Sequence, residues 1–262
     1  MEIVITGDSF TAPDYTIYKI RTFLRDGFKE EDIWKPMPTY TCWPIQLSKH
    51  LQFPVINLGT GGAGNFGICK RATDHIVKNP KNIKLCIVAL SDWRRKEHTD
   101  FSRGGNYSEE NHFDVQDIDK KYKKKSKANL IDNTLRSIYE LQTICKQFDI
   151  PCVVFQMLEP LGMSPYRLKH LWKKFLIEVF DNPYFEMIDK KYIIGWPFFQ
   201  ELNGYTFISK YLFVNKKRYC VGDFIQVENG ELVSFFDTHP NQEGHNLIFN
   251  FINKELKKFE LI

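Results

Sequence analysis

The sequence predicts a three-layer α/β/α sandwich, a mostly parallel sheet covered by helices on both faces. Three observations carry this reading. Short apolar runs recur at Glu2 to Thr6, Pro54 to Leu58, Leu85 to Leu90 and Ile150 to Phe155, each strand-length and apolar enough to be covered on both sides. Helical periodicity fills intervals between them, as parallel connections require. The first three runs each stop at a small polar cluster, Gly7-Asp8-Ser9, Gly59-Thr60-Gly61-Gly62 and Ser91-Asp92, at the carboxyl edge where open α/β sheets keep their ligands. With 262 residues, 43% of them hydrophobic, one domain spanning 1–262 can bury a full core.

The elements come in order. Glu2-Ile3-Val4-Ile5-Thr6 is a buried strand ending at a sharp turn that presents a hydroxyl. Thr11 to Tyr40, with Pro13, Pro36 and Pro38 bracketing an amphipathic piece from Tyr18 to Phe28, reads as an irregular excursion over the sheet edge. Trp43-Pro44 opens a short helix with Leu47 and Leu51 one turn apart. The second strand, Pro54 to Leu58, runs into the glycine loop, and a helix from Phe66 to Val77 leads to the third strand. Residues 94–127 form a polar insertion that includes Lys120-Lys121-Tyr122-Lys123-Lys124-Lys125, read as a solvated loop. From Ala128 to Phe148, Leu135, Ile138, Leu141 and Cys145 fall on one helical face, and the fourth strand begins behind Pro151. Leu168 to Phe180 reads as a further helix.

Residues 184–235 change character. Aromatic and β-branched residues alternate with polar ones in Tyr205-Thr206-Phe207-Ile208 and Asp223 to Val227, and Glu228-Asn229-Gly230-Glu231 suits a hairpin turn. This predicts a β-rich insertion or lid. Asp237-Thr238-His239-Pro240 then forms a turn before a closing helix that carries Leu247, Ile248, Phe251, Ile252 and Leu256 on one face.

Composition narrows the function classes. The 36 basic and 32 acidic residues leave a charge of +4, too small an excess to imply a nucleic-acid partner. Six cysteines without C-x-x-C spacing, several inside apolar patterns, argue for a reduced, cytoplasmic protein. The first strand starts almost at once, leaving no room for a signal peptide, and no apolar run reaches membrane-spanning length. No metal-binding spacing is present, and no cofactor is expected.

Ester hydrolysis needs a nucleophile, a base that takes its proton and a group that orients the base. Ser9, His239 and Asp237 supply those residue types at turns on the two ends of the chain. Read more simply, Ser9 caps a turn and His239 is a surface polar residue, with His245 an alternative one turn into the last helix.

The ordered set Gly7-Asp8-Ser9, the loop Asn57-Leu58-Gly59-Thr60-Gly61-Gly62, Ser91-Asp92 and Asp237-x-His239-Pro240 resembles the SGNH, or GDSL, hydrolases. The resemblance covers the core and leaves both insertions unmatched. It implies a flavodoxin-like strand order, Ser9 as nucleophile, His239 as base and Asp237 as the orienting carboxylate. It also implies an oxyanion site built from the Ser9 N–H, the Gly62 N–H and an asparagine amide from the third block. This chain departs twice. Ser91 occupies the asparagine position, so that Ser91 or Asn65 is left to supply the donor, and Asp237 lies two residues before the histidine instead of three. The implied substrate is a small-molecule or carbohydrate ester, with a lean towards O-acetyl groups. A non-catalytic binding protein and an O-acyltransferase are the alternatives.

Two further motifs admit readings of their own. Gly59-Thr60-Gly61-Gly62-Ala63-Gly64 matches a dinucleotide-binding fingerprint, but it comes after the second strand, and Asp92 lies 28 residues beyond Gly64 where about 20 are expected. Trp93-Arg94-Arg95 reads as a surface ion-pairing group or as a clamp on an anionic or sugar substrate.

Overall fold

The computed structural model describes residues 1–12, 40–93, 95, 128–160, 169–228 and 231–262, with backbone alone for 128–130, 169–174, 223–228 and 231–237. The Tyr18 to Phe28 piece, Arg94, the Lys120 to Lys125 run and the Asn229-Gly230 turn lie outside the described residues.

Five parallel strands form the main sheet: β1 (Glu2–Thr6), β2 (Val55–Asn57), β3 (Ile83–Leu90), β4 (Cys152–Gln156) and β5 (Ile193–Ile194). Their order, β2-β1-β3-β4-β5, is the flavodoxin-like one, and it puts β1 and β3 side by side at the centre. The helices are α1 (Trp43–Leu51), α2 (Asn65–Lys78), α3 (Ala128–Gln147), α4 (Lys169–Phe180), α5 (Pro183–Met187), α6 (Lys216–Tyr219) and α7 (Gln242–Lys258). Proline enters α1 in its first turn, where a missing N–H leaves no bond unmade. The side chain of Asn241 accepts the Gly244 N–H and caps α7.

Strand alternation divides the core in two. Val4, Cys86, Val88, Leu90 and Val154 face α2 and α3, meeting Ile68, Ala72, Ile76, Leu135, Ile138 and Leu141. Ile3, Ile5, Leu85, Ile87, Val153 and Phe155 face α1 and α7, meeting Trp43, Leu47, Ile248, Ile252 and Leu256. With both faces covered, β3 reads as a nearly unbroken apolar run. All six cysteines are buried thiols. Cys86 and Cys152 are register partners on neighbouring strands, and the sulfurs of Cys86, Cys145 and Cys152 all lie within 4.8 Å of one another.

The segment after residue 183 is less β-rich than its alternating pattern predicts. Ile193-Ile194 joins the main sheet as its last strand, and Tyr205-Thr206-Phe207-Ile208 leads into helical turns that end in α6. Thr206, Phe207 and Ile208 are all buried, so tertiary packing against the α7 face overrides the strand-like alternation. The β character is concentrated in the antiparallel pair β6 (Cys220–Glu228) and β7 (Glu231–Pro240), a separate two-stranded sheet.

Asp237-Thr238-His239-Pro240, expected as a turn, is the end of β7. Cys220 pairs with Pro240 and Gly222 with Asp237, so two steps along β6 oppose three along β7. The extra residue is a bulge at Thr238 and His239, which together oppose Val221, next to Gly222, whose φ of +89° is one that side chains rarely adopt.

Candidate active site

The carboxyl end of β1 builds a tight turn around residue 8. A Cβ on Gly7 would overlap the Thr11 side chain and come within 3.1 Å of the Ala89 Cβ, so only glycine fits between β1 and β3. The Asp8 carbonyl accepts the N–H groups of Thr11 and Ala12, both at 3.0 Å, and the Asp8 carboxylate accepts that of Phe10 at 3.0 Å. Ser9 therefore sits on the crest. Its own N–H has no protein partner among the described residues.

The second loop is stitched onto this turn. Asn57 donates to the Thr11 carbonyl at 2.8 Å and accepts the Gly59 N–H at 2.9 Å, and the Thr60 N–H donates to the Gly7 carbonyl at 3.1 Å. A Cβ on Gly59 would lie 2.7 Å from the Ala12 nitrogen, which explains that glycine. The Trp43 indole donates to the Phe10 carbonyl at 3.2 Å and holds the turn from the α1 side. Gly62 comes next at φ +73°, again a glycine conformation.

His239 reaches the crest from the other end of the chain. Its Nε2 lies 2.8 Å from the Ser9 Oγ, and its ring packs 4.8 Å, centroid to centroid, from Phe10. With Nε2 on the serine, Nδ1 is the nitrogen an orienting acceptor would address. The Asp237 side chain falls among those not described. His245, the alternative base, is buried inside α7, and burial, with a smaller effect from the nearby His239, pushes its pKa down to about 4.

The third block is a hydrogen-bonded knot. Asn65 accepts the Ser91 N–H at 2.7 Å and donates to the Ser91 carbonyl at 3.1 Å, so its amide clamps α2 to the end of β3. Gln156 donates to the same carbonyl at 2.7 Å and accepts the Trp93 indole N–H at 2.9 Å. The Ser91 hydroxyl donates to the Asp8 carboxylate at 3.0 Å, and the Arg95 Nη1 donates to the same oxygen at 3.2 Å. Asp8 has no solvent exposure, and a carboxylate so placed requires such donors.

A cavity of ≈ 280 Å³ opens beside the Ser9 and His239 pair. Phe10, Leu158, Ile208 and Phe213 form its apolar lining, and Asp92, Arg95, Glu159 and Thr238 the polar part. Gly62, Asn65 and Ser91 are not among the described residues that line it. The sequence pairs Ser9 with His239 by residue type, and the structure places the two side chains together. Arg95, from the Trp93-Arg94-Arg95 motif singled out in the sequence, lines the cavity, while sequence reasoning misses that Asp8 is the hub of the site and that Leu158 and Glu159 after β4 form a wall. The last was findable, because β4 ends at the same sheet edge as β1 and β3. Away from the cavity, the only cluster of metal-ligand type among the described residues is Cys86, Cys145 and Cys152 in the core.

No known family model matches the chain, and no curated protein matches it. Among solved structures it is similar to a psychrotrophic esterase, EstA, from Pseudoalteromonas sp., in a structure inhibited by monoethylphosphonate. That similarity covers 98% of this chain and 97% of the other at 13% identity, with a TM-score of 0.43.

Proposed function

We propose that the protein is a serine-dependent ester hydrolase of the SGNH type, and the observation that carries the reading is the 2.8 Å contact between the Ser9 Oγ and the His239 Nε2. An alcohol is a poor nucleophile until a base at hydrogen-bond distance takes its proton. In this reading His239 deprotonates Ser9 and Ser9 attacks the acyl carbonyl. The imidazolium then returns the proton to the leaving alcohol, and water releases the acyl group with His239 again as base. Asp237 is the proposed orienting group on Nδ1.

The Ser9 and Gly62 N–H groups are the proposed oxyanion donors, each contributing about 10²–10³-fold in rate. Asn65 and Ser91 act at one remove, since the amide of Asn65 is engaged with the Ser91 backbone and the Ser91 hydroxyl with Asp8. The cavity supports a short acyl group against Phe10 and Ile208 and a hydroxyl-rich alcohol against Asp92 and Glu159. O-acetylated carbohydrate is the substrate class proposed on that division.

The test is hydrolysis of p-nitrophenyl acetate together with labelling by a serine-reactive fluorophosphonate. Wild type is expected to turn over and to be labelled, and Ser9→Ala to lose on the order of 10⁴–10⁶-fold in kcat and all labelling while keeping its circular dichroism. Equal inertness of both proteins, with neither labelled, sinks the proposal. Preference for medium-chain p-nitrophenyl esters over acetylated glycans would remove the carbohydrate assignment alone.

A further inference from the structure

We infer that Arg95 is the third oxyanion donor of this site, a guanidinium standing in for the side-chain amide that the third block lacks. The inference rests on the ester-hydrolase reading above. It begins from what the other candidates are doing. The Asn65 amide is held by the Ser91 carbonyl at 3.1 Å, inside a residue that is only 3% exposed, and the Ser91 hydroxyl donates to Asp8 at 3.0 Å. Neither of them lines the cavity. Among the described residues that do, Arg95 is the one side chain besides His239 that carries N–H donors.

Its position is fixed through the nucleophile's own neighbour. The Arg95 Nη1 donates to the buried Asp8 Oδ2 at 3.2 Å, so the guanidinium is anchored to the residue next to Ser9, and both line the same cavity. One N–H of five is needed for that anchor, and the side chain, 27% exposed, is among those that line the cavity. The Asp8 carboxylate balances the resting cation. When the Ser9 Oγ bonds to the acyl carbon, the π electron pair of the carbonyl moves onto its oxygen and the serine proton passes to the His239 Nε2. The charge that develops on that oxygen is what a fixed guanidinium stabilises, by hydrogen bonding with no proton transferred. Ground-state ester oxygen carries little charge, so the contribution falls on kcat.

The experiment compares wild type with Arg95→Gln, Arg95→Lys and Arg95→Ala on p-nitrophenyl acetate, and measures inhibition by methylboronic acid, which forms an anionic tetrahedral adduct on an active serine. Arg95→Gln is expected to lose about 10²–10³-fold in kcat with less than about threefold change in KM, and to bind the boronic acid more weakly by a similar factor. Arg95→Lys should retain part of the rate, and added guanidinium ion should restore part of that of Arg95→Ala. Retention of kcat within about threefold in Arg95→Gln overturns the inference. So does a loss of kcat with no matching loss of boronate affinity and no guanidinium rescue, the pattern expected if Arg95 only steadies Asp8. Wild type that neither turns over nor binds boronate overturns the hydrolase reading itself.

Discussion

His239 and His245, close together near the end of the chain, have opposite environments. His239 meets solvent, the Ser9 hydroxyl and the Phe10 ring, while His245 is buried with its Nδ1 unpaired. A pKa near 4 keeps His245 neutral at neutral pH, so the second ring adds no charge beside His239. Because its folded pKa lies below the unfolded value near 6.5, the unfolded chain binds more protons between those values. Stability is therefore complete above about pH 6.5 and falls as pH drops towards 4, by roughly 3 kcal/mol in total from this group. Urea midpoints measured across pH 7 to 4 should show the decline, and His245→Gln should flatten it. Asn65→Ala should cost about 1–3 kcal/mol in urea unfolding, because it strands the buried Ser91 N–H. Ser9 and His239 were legible in the sequence as single residues, since their chemistry depends on residue type, although His239 lies at the end of β7 and not on the turn expected for it. The partners of Asp8, Ser91 and Arg95 were not, because they are 83 and 87 residues distant from Asp8 and meet only when β1 and β3 lie side by side.

At the scale of elements, the apolar strands and amphipathic helices of the core were readable because both faces of the sheet are buried. Residues 184–240 were readable only in part: Asp223 to Val227 lies in β6, as its alternation predicts, but the segment before it departs from its pattern, and the reason is local. Tyr205 to Ile208 alternates like a strand, but Phe207 and Ile208 are drawn into the α7 face by Phe251 and its neighbours. The bulge in β7 was equally hidden. An added residue in a strand breaks strict alternation and re-aims the side chains beyond it. Gly222 borders the bulge, paired with Asp237, with nothing within 4 Å of an added Cβ, so Gly222→Ala meets strain from φ and not from crowding. That substitution should cost about 1–2 kcal/mol and lower kcat more than it raises KM, as His239 shifts relative to Ser9. Chemical unfolding paired with steady-state kinetics checks both halves. The cysteine cluster between β3, β4 and α3 is a packing element. Hydrogen bonding with Cys145, together with burial, holds the thiols of Cys86 and Cys152 well above their ordinary range. Thiol reagents should leave them unmodified until the protein unfolds.

The whole molecule places its chemistry by topology. In the order β2-β1-β3-β4-β5 the central strands carry Gly7-Asp8-Ser9 and Ser91 to one edge, and the β7 bulge brings His239 over it. No helix among the described residues is long and apolar enough to cross a membrane. Both cores share the one sheet, so loss of either should dissolve the site. Fluorophosphonate labelling and far-ultraviolet circular dichroism are expected to fall at the same urea concentration, and separated midpoints would mean that the site opens before the sheet does. The pairing of Ser9 with His239, 230 positions apart, has a consequence for how the protein is made. At synthesis rates of about 5–20 residues per second, Ser9, the proposed nucleophile, emerges from the ribosome roughly 10–50 seconds before His239, its proposed base, exists. On the proposed mechanism a nascent chain carries a serine that is chemically ordinary, and reactivity arrives only when the final strand and helix dock.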